Sequence, residues 1–174
     1  DYLEQVGYDT YCRILDEVMK ETKGIETSSE DIDVQIDLNV SSYIPDDYIS
    51  NQSQKIEVYQ DIALCETDED IQNVIDEIID RFGDMPQEIE NLLKIAKIKA
   101  LCKKNGIVKV LNKQDIVVFT FGMSEPNVDV QKLVKEYRNK IRFSAGVKPS
   151  VSLLTNATTD EKLLDAILVF LKKL

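Results

Sequence analysis

Hydrophobic residues along this chain follow two rhythms, steps of three and four that mark helices and steps of two that mark strands. Tyr8, Tyr11, Cys12, Leu15, Val18 and Met19 form a first helical stripe over 8–23, closed by Gly24 after Lys20 and Lys23. The stretch 25–31 is mostly polar and reads as a linker. Ile32, Val34, Ile36, Leu38 and Val40 then alternate with Asp33, Gln35, Asp37 and Asn39, the pattern of a half-buried strand. A loop over 41–53, punctuated by Pro45, Asp46 and Asp47, leads to a helix that turns Ile56, Tyr59, Ile62 and Ala63 inward. Thr67 followed by Asp70 is a capping box with Asp in place of Glu or Gln. The helix it opens carries Ile71, Val74, Ile75, Ile78, Ile79 and Phe82 on one stripe, with Glu69, Asp76, Glu77 and Asp80 opposite.

Gly83 ends that helix, and Pro86 opens the next at a first-turn position. This helix runs to about Asn105, stops at Gly106 and is apolar around much of its circumference, which makes it the central one. Segments 107–111 and 116–121 read as strands joined by a turn over 112–115. A helix over 128–140, short strands near 141–143 and 150–154, and a last helix from Thr159 complete the chain. The last helix buries Leu163, Leu164, Ile167, Leu168 and Leu171. The expected fold is mixed α/β (α+β), a small mixed sheet flanked by several helices. An N-terminal helical appendage (1–24) and a linker (25–31) precede the main domain (32–174).

Composition narrows the function. Of 174 residues, 43% are hydrophobic, enough to build a core, and no apolar run reaches membrane-spanning length. The chain begins at Asp1, as expected of a piece of a longer protein. Cys12, Cys65 and Cys102 are too widely spaced for a C-x-x-C pair, each is expected at an apolar helical position, and a reducing cytoplasm suits them. There is no histidine, no G-x-x-x-x-G-K-[ST] or G-x-G-x-x-G loop and no G-x-S-x-G elbow, so catalysis is not supported. A carboxylate dyad or magnesium site among 32 acidic residues lacks both tryptophan platforms and a ligand cluster at helical spacing.

Charge is distributed unevenly. Residues 1–93 hold 25 acidic and 5 basic side chains, whereas 94–174 hold 7 acidic and 16 basic ones. The acidic half suits a basic protein surface and repels nucleic acid. The basic half admits a second reading, an accessory nucleic-acid contact through Lys94, Lys97, Lys99, Lys103, Lys104, Lys132, Lys135, Arg138, Lys140 and Arg142. The plainer account of those lysines is a solvated helix face, because few aromatic or arginine side chains interleave with them.

Three runs carry a family resemblance: Ile44 to Ile49 with Lys55 to Tyr59, Glu77 to Pro86, and Glu88 to Leu93 with Gly106 and Ile107. In order and spacing they resemble the C-terminal domain of bacterial transcription-repair coupling factors. Val6 to Cys12 is similar to the helix that follows that family's motor, and no motif stands out beyond Phe121. Lys55 replaces an expected arginine, and Asn51 an expected acidic residue.

The resemblance implies a bacterial, cytoplasmic parent that is an ATP-driven translocase on double-stranded DNA. Such a parent displaces stalled RNA polymerase and recruits UvrA. ATP and magnesium would belong to its motor, and this stretch would hold no cofactor or metal and no catalytic residue. The domain would fold back on a UvrB-like module, mask its UvrA-binding surface and restrain the resting enzyme. Glu77 and Asp80 match the acidic pair expected at that interface, with Asp76 beside them, and Arg81 is expected in an internal salt bridge.

Overall fold

The computed structural model describes residues 34–174, so the predicted helix 8–23 and linker 25–31 lie outside the described residues. In chain order the elements are β1 (Gln35–Asp37), α1 (Gln52–Ala63), α2 (Asp68–Phe82) and α3 (Gln87–Asn105). Then come β2 (Ile107–Lys113), β3 (Ile116–Phe121), α4 (Val130–Tyr137), a 3₁₀ turn (Arg138–Lys140), β4 (Ile141–Ser144), β5 (Ser150–Leu154) and α5 (Asp160–Lys172). They fall into two units. One comprises Val40–Lys97, and the other Ile98–Leu174 with the strand segment that ends at Asn39.

The first unit is helical, and its helix ends follow local chemistry. Asn51 accepts the Gln54 N–H at 3.0 Å and caps α1. At α2 the predicted box is complete: Thr67 Oγ1 accepts the Asp70 N–H, and the Asp70 carboxylate accepts the N–H groups of Thr67 and Glu66. Those backbone donors, Glu66 first, hold the Asp70 carboxyl below its usual range. Gly83 takes φ +91° and returns its N–H to the Ile79 carbonyl at 2.9 Å, a conformation that any Cβ would strain. Pro86 stands just before α3 rather than inside its first turn, and its carbonyl accepts the Glu90 N–H.

The second unit is built on a five-stranded sheet of order β1-β2-β3-β5-β4. Strand β1 runs parallel to β2 and every other pairing is antiparallel, which is the mixed sheet expected. Alternation sets the buried face through Ile36, Val110, Val117, Phe119, Phe121, Val151 and Leu153. The five leucine and isoleucine positions predicted for α5 are all buried, together with Phe170, whose ring centroid lies 4.9 Å from that of Phe119.

Two elements are shorter than the periodicity predicts. Strand β1 ends at Asp37, short of the predicted Val40, because the Asn39 N–H turns to the Asn112 side chain (2.9 Å) and ends the ladder; Ile32 and Asp33 of the predicted strand lie outside the described residues. Helix α4 stops at Tyr137 because Arg138 adopts φ +51°, which breaks the right-handed run before the 3₁₀ turn.

Candidate protein-docking site

Helix α1 turns Lys55, Val58, Tyr59 and Ile62 inward, at steps of three and four. This corrects the predicted stripe, since Ile56 is 39% exposed and Ala63 is half-buried. The phase differs by one residue because Lys55, 1% exposed, carries its ammonium to the carboxylate of Asp46. Hydrophobicity alone does not select a lysine for a buried stripe. Tyr59 is buried beside it and accepts the Ile44 N–H at 2.9 Å. Tyr48 donates its hydroxyl to the Gly83 carbonyl at 2.5 Å, with its ring 6.0 Å from that of Phe82. Burial, then the charge of Asp84, pushes the Tyr48 phenol upward. The runs near 44–49 and 77–86 are therefore tied to each other in space.

On α2 the buried line is narrower than predicted. Ile71 and Ile78 are buried, Val74, Ile75 and Phe82 are half-buried, and Ile79 is 43% exposed. Ile79 lies one residue, about 100° of helix, beyond Ile78, and so falls outside a single contact line. The other side exposes Glu69, Asp76, Glu77 and Asp80, as expected.

Each predicted site residue has a distinct setting. Arg81 donates to Glu77 and to Glu57, both at 3.3 Å, and its guanidinium lies 4.9 Å from the Phe82 ring centroid. It thus makes the internal salt bridge expected of it. Asp76 accepts from the Gln72 amide at 2.9 Å. Asp80 is exposed and makes no hydrogen bond or ion pair with any other residue among those described.

Glu57 and Asp61, which the sequence pattern does not mark, join this site. One carboxylate oxygen each from Glu57, Asp61 and Glu77 lies within 4.8 Å of the others. Burial, then Glu77 and Glu57, raises the Asp61 pKa against the opposing pull of Arg81. The only sequence signal was their four-residue spacing on α1, since the neighbour across the helix pair is set by tertiary packing. The guanidinium spans two of the three carboxylates, so the chain supplies a counter-charge of its own and leaves negative charge in surplus.

A shallow depression of about 280 Å³ adjoins the cluster, with Leu64, 56% exposed, beside Asp61, Asp70 and Glu77. Cys65 lies in the connection after α1, not on a helix as expected, because α1 ends at Ala63. Its thiol donates to the Asp61 carbonyl at 3.3 Å and is pushed up to about 11 by burial, then by Asp70 and Asp61. Cys102 is buried within α3 and burial raises it to about 12, so both thiols stay protonated at neutral pH. Cys12 lies outside the described residues.

The TRCF domain family model matches residues 38–133, more than half of the chain. The chain belongs to this family. Among its transcription-repair coupling factor relatives, one from Staphylococcus aureus (strain USA300) is 37% identical over 136 residues, 77% of this chain and 12% of that protein. One from Bacillus subtilis (strain 168) is 31% identical over 178 residues, 99% of this chain and 15% of that protein. The chain thus spans a small part of the length of these relatives. A crystal structure of the C-terminal domain of a transcription-repair coupling factor superposes with TM-score 0.66 at 23% identity, covering 81% of this chain and 91% of that one. The TRCF fold is therefore shared. The matched segment holds residues 40–97 of the helical unit and ends in α4, beyond Gly106 and Ile107, where the resembling runs end. Among the described residues no helix is long and apolar enough to cross a membrane.

Proposed function

We propose that this chain is a regulatory C-terminal domain of a transcription-repair coupling factor, without catalytic activity of its own. It docks through the acidic face of α2 on a UvrB-like module of its parent and covers the surface that UvrA would use. The parent's motor would hold ATP and magnesium, act on double-stranded DNA and meet RNA polymerase. The observation that carries this reading is the exposed row Asp76, Glu77 and Asp80 on a helix whose opposite side is buried. Arg81 is the single cation on that helix and is already engaged by Glu57 and Glu77, which leaves Asp80 available to a partner. A basic surface on the partner would complete the contact. Tethering within one chain raises effective concentration, so a modest interface stays mostly closed until a competing partner opens it.

The test is the double change Glu77→Ala and Asp80→Ala in the full-length parent. Losing such charges at a partly desolvated interface costs on the order of 2 kcal/mol or more, so docking on the separate UvrB-like module should weaken about thirtyfold. Capture of UvrA by the parent should rise. Unchanged docking together with unchanged UvrA capture would show that these carboxylates are plain surface. If instead the basic half of the chain served nucleic acid, the same change would tighten salt-sensitive DNA binding and leave UvrA capture unaltered.

A further inference from the structure

Among the described residues the sheet of the second unit terminates in β4, which pairs with β5 along one side only. The other side of an edge strand presents main-chain N–H and C=O groups to any chain that approaches extended. Charge at this edge has one sign. Between positions 138 and 148 stand Arg138, Lys140, Arg142 and Lys148, with no carboxylate among them. All four are exposed, and among the described residues none has an ion-pair partner. A cleft of about 750 Å³ opens beside the start of β4, where the 3₁₀ turn meets the end of β5 and α5. Arg138, Lys140 and Lys162 line it together with Asp165 and with Glu136, whose carboxylate is paired with Lys173 at 2.7 Å, so cations remain in excess there. Leu154 and Val169 offer apolar surface, 37% and 50% exposed.

Cations on an edge strand oppose self-pairing, because a second copy of the same edge would bring like charges face to face. They place no such barrier before an acidic strand. We propose that the β4 edge with its cleft is a docking site for an acidic extended segment of another protein. That segment adds to the sheet as a sixth strand, its carboxylates meet the four cations, and one apolar side chain seats on Leu154 and Val169. Nucleic acid fits the site less well. Phosphates would use the cations but leave the main-chain edge and the apolar seat idle, and the nearby Tyr137 ring is already covered by Lys173 (4.8 Å) and packed on Phe170 (5.5 Å). The site lies in the unit that the acidic-face proposal does not use, so each reading stands or falls alone.

The experiment uses the whole chain and two capped ten-residue peptides, one alternating glutamate with valine and the other lysine with valine. Binding is followed by fluorescence anisotropy, and the chain's amides by hydrogen exchange. The glutamate peptide should bind at least tenfold more tightly than the lysine peptide and slow exchange at alternate amides of β4. The double change Lys140→Glu and Arg142→Glu, at two exposed positions, should weaken it at least tenfold. Val169→Asp, exposed on α5 and away from the strand, should weaken it about fivefold. The proposal is overturned by equal binding of the two peptides, by variants that bind as the parent sequence does, or by binding that leaves the β4 amides unprotected. It is equally overturned if a DNA duplex displaces the peptide at matched charge, or if the chain self-associates through β4 without any peptide.

Discussion

The helical unit and the sheet unit are held in place by different means. In the sheet unit the strand ladder sets its own register, and among the described residues the one polar residue buried there is Thr155. In the helical unit an irregular segment after Val40 has no ladder, and polar contacts fix it at four points. Asn91 donates to the Ser41 carbonyl, Tyr59 accepts from Ile44, Asp46 pairs with Lys55, and Tyr48 donates to Gly83. A segment without secondary structure needs specific partners to hold one position, whereas an alternating strand needs apolar neighbours on one face. Charge divides in parallel: residues 40–97 hold 14 acidic and 4 basic side chains, and residues 98–174 hold 7 and 14.

That contrast can be broken by substitution. Phe170→Ala should have the largest effect, about 3–5 kcal/mol in urea unfolding, because it empties the space against Phe119. Asp46→Ala should cost about 3 kcal/mol by leaving the buried Lys55 ammonium without this carboxylate. Lys55→Met should cost less than about 1.5 kcal/mol, since it removes the charge along with its need for a partner. If Lys55→Met proved the costlier change, the polar account of the helical unit would be wrong.

Smaller effects sharpen the comparison. Thr67→Ala should cost about 1 kcal/mol by unmaking the cap of α2. The Asp70 carboxyl is held below its usual value in the folded chain, so its contribution is complete above about pH 4 and lost as pH falls through the lower folded value. Melting curves from pH 6 to pH 2 should show the gap between the parent sequence and Asp70→Asn closing as pH falls. A gap that stayed constant across that range would show that the ionised carboxylate contributes nothing to the cap.

Legibility differed between the units for the same physical reason. Alternation and leucine spacing located β2, β3, β5 and α5 closely, because there burial and hydrophobicity coincide, whereas β1 stops at Asp37 despite continued alternation to Val40. On α1 they diverge: Lys55 is inside and Ile56 outside, so the phase was misread by one position. The capping box, Gly83 and the internal bridge of Arg81 were readable because their partners lie within four residues. Glu57 and Asp61 were not, since only the packing of α1 on α2 brings them to Glu77. The family runs marked Tyr48 and Gly83 as belonging together without revealing the hydrogen bond that joins them.

The pairing of β1 with β2 bears on the order of folding events. The first side-chain tie beyond that ladder, Asn39 to Asn112, closes a loop of 73 residues with the entire helical unit inside it. Loop-closure entropy for such a span is roughly 4 kcal/mol beyond its constant term, whereas the β2–β3 hairpin closes across a turn of a few residues. The hairpin and the helical unit can each form from near neighbours, but β1 must wait for both of its ends to be brought together. A polypeptide leaving the ribosome would carry its first sheet strand unpaired until the hairpin had emerged. During that interval Ile36 would be exposed apolar surface, and an early opportunity for chaperone binding.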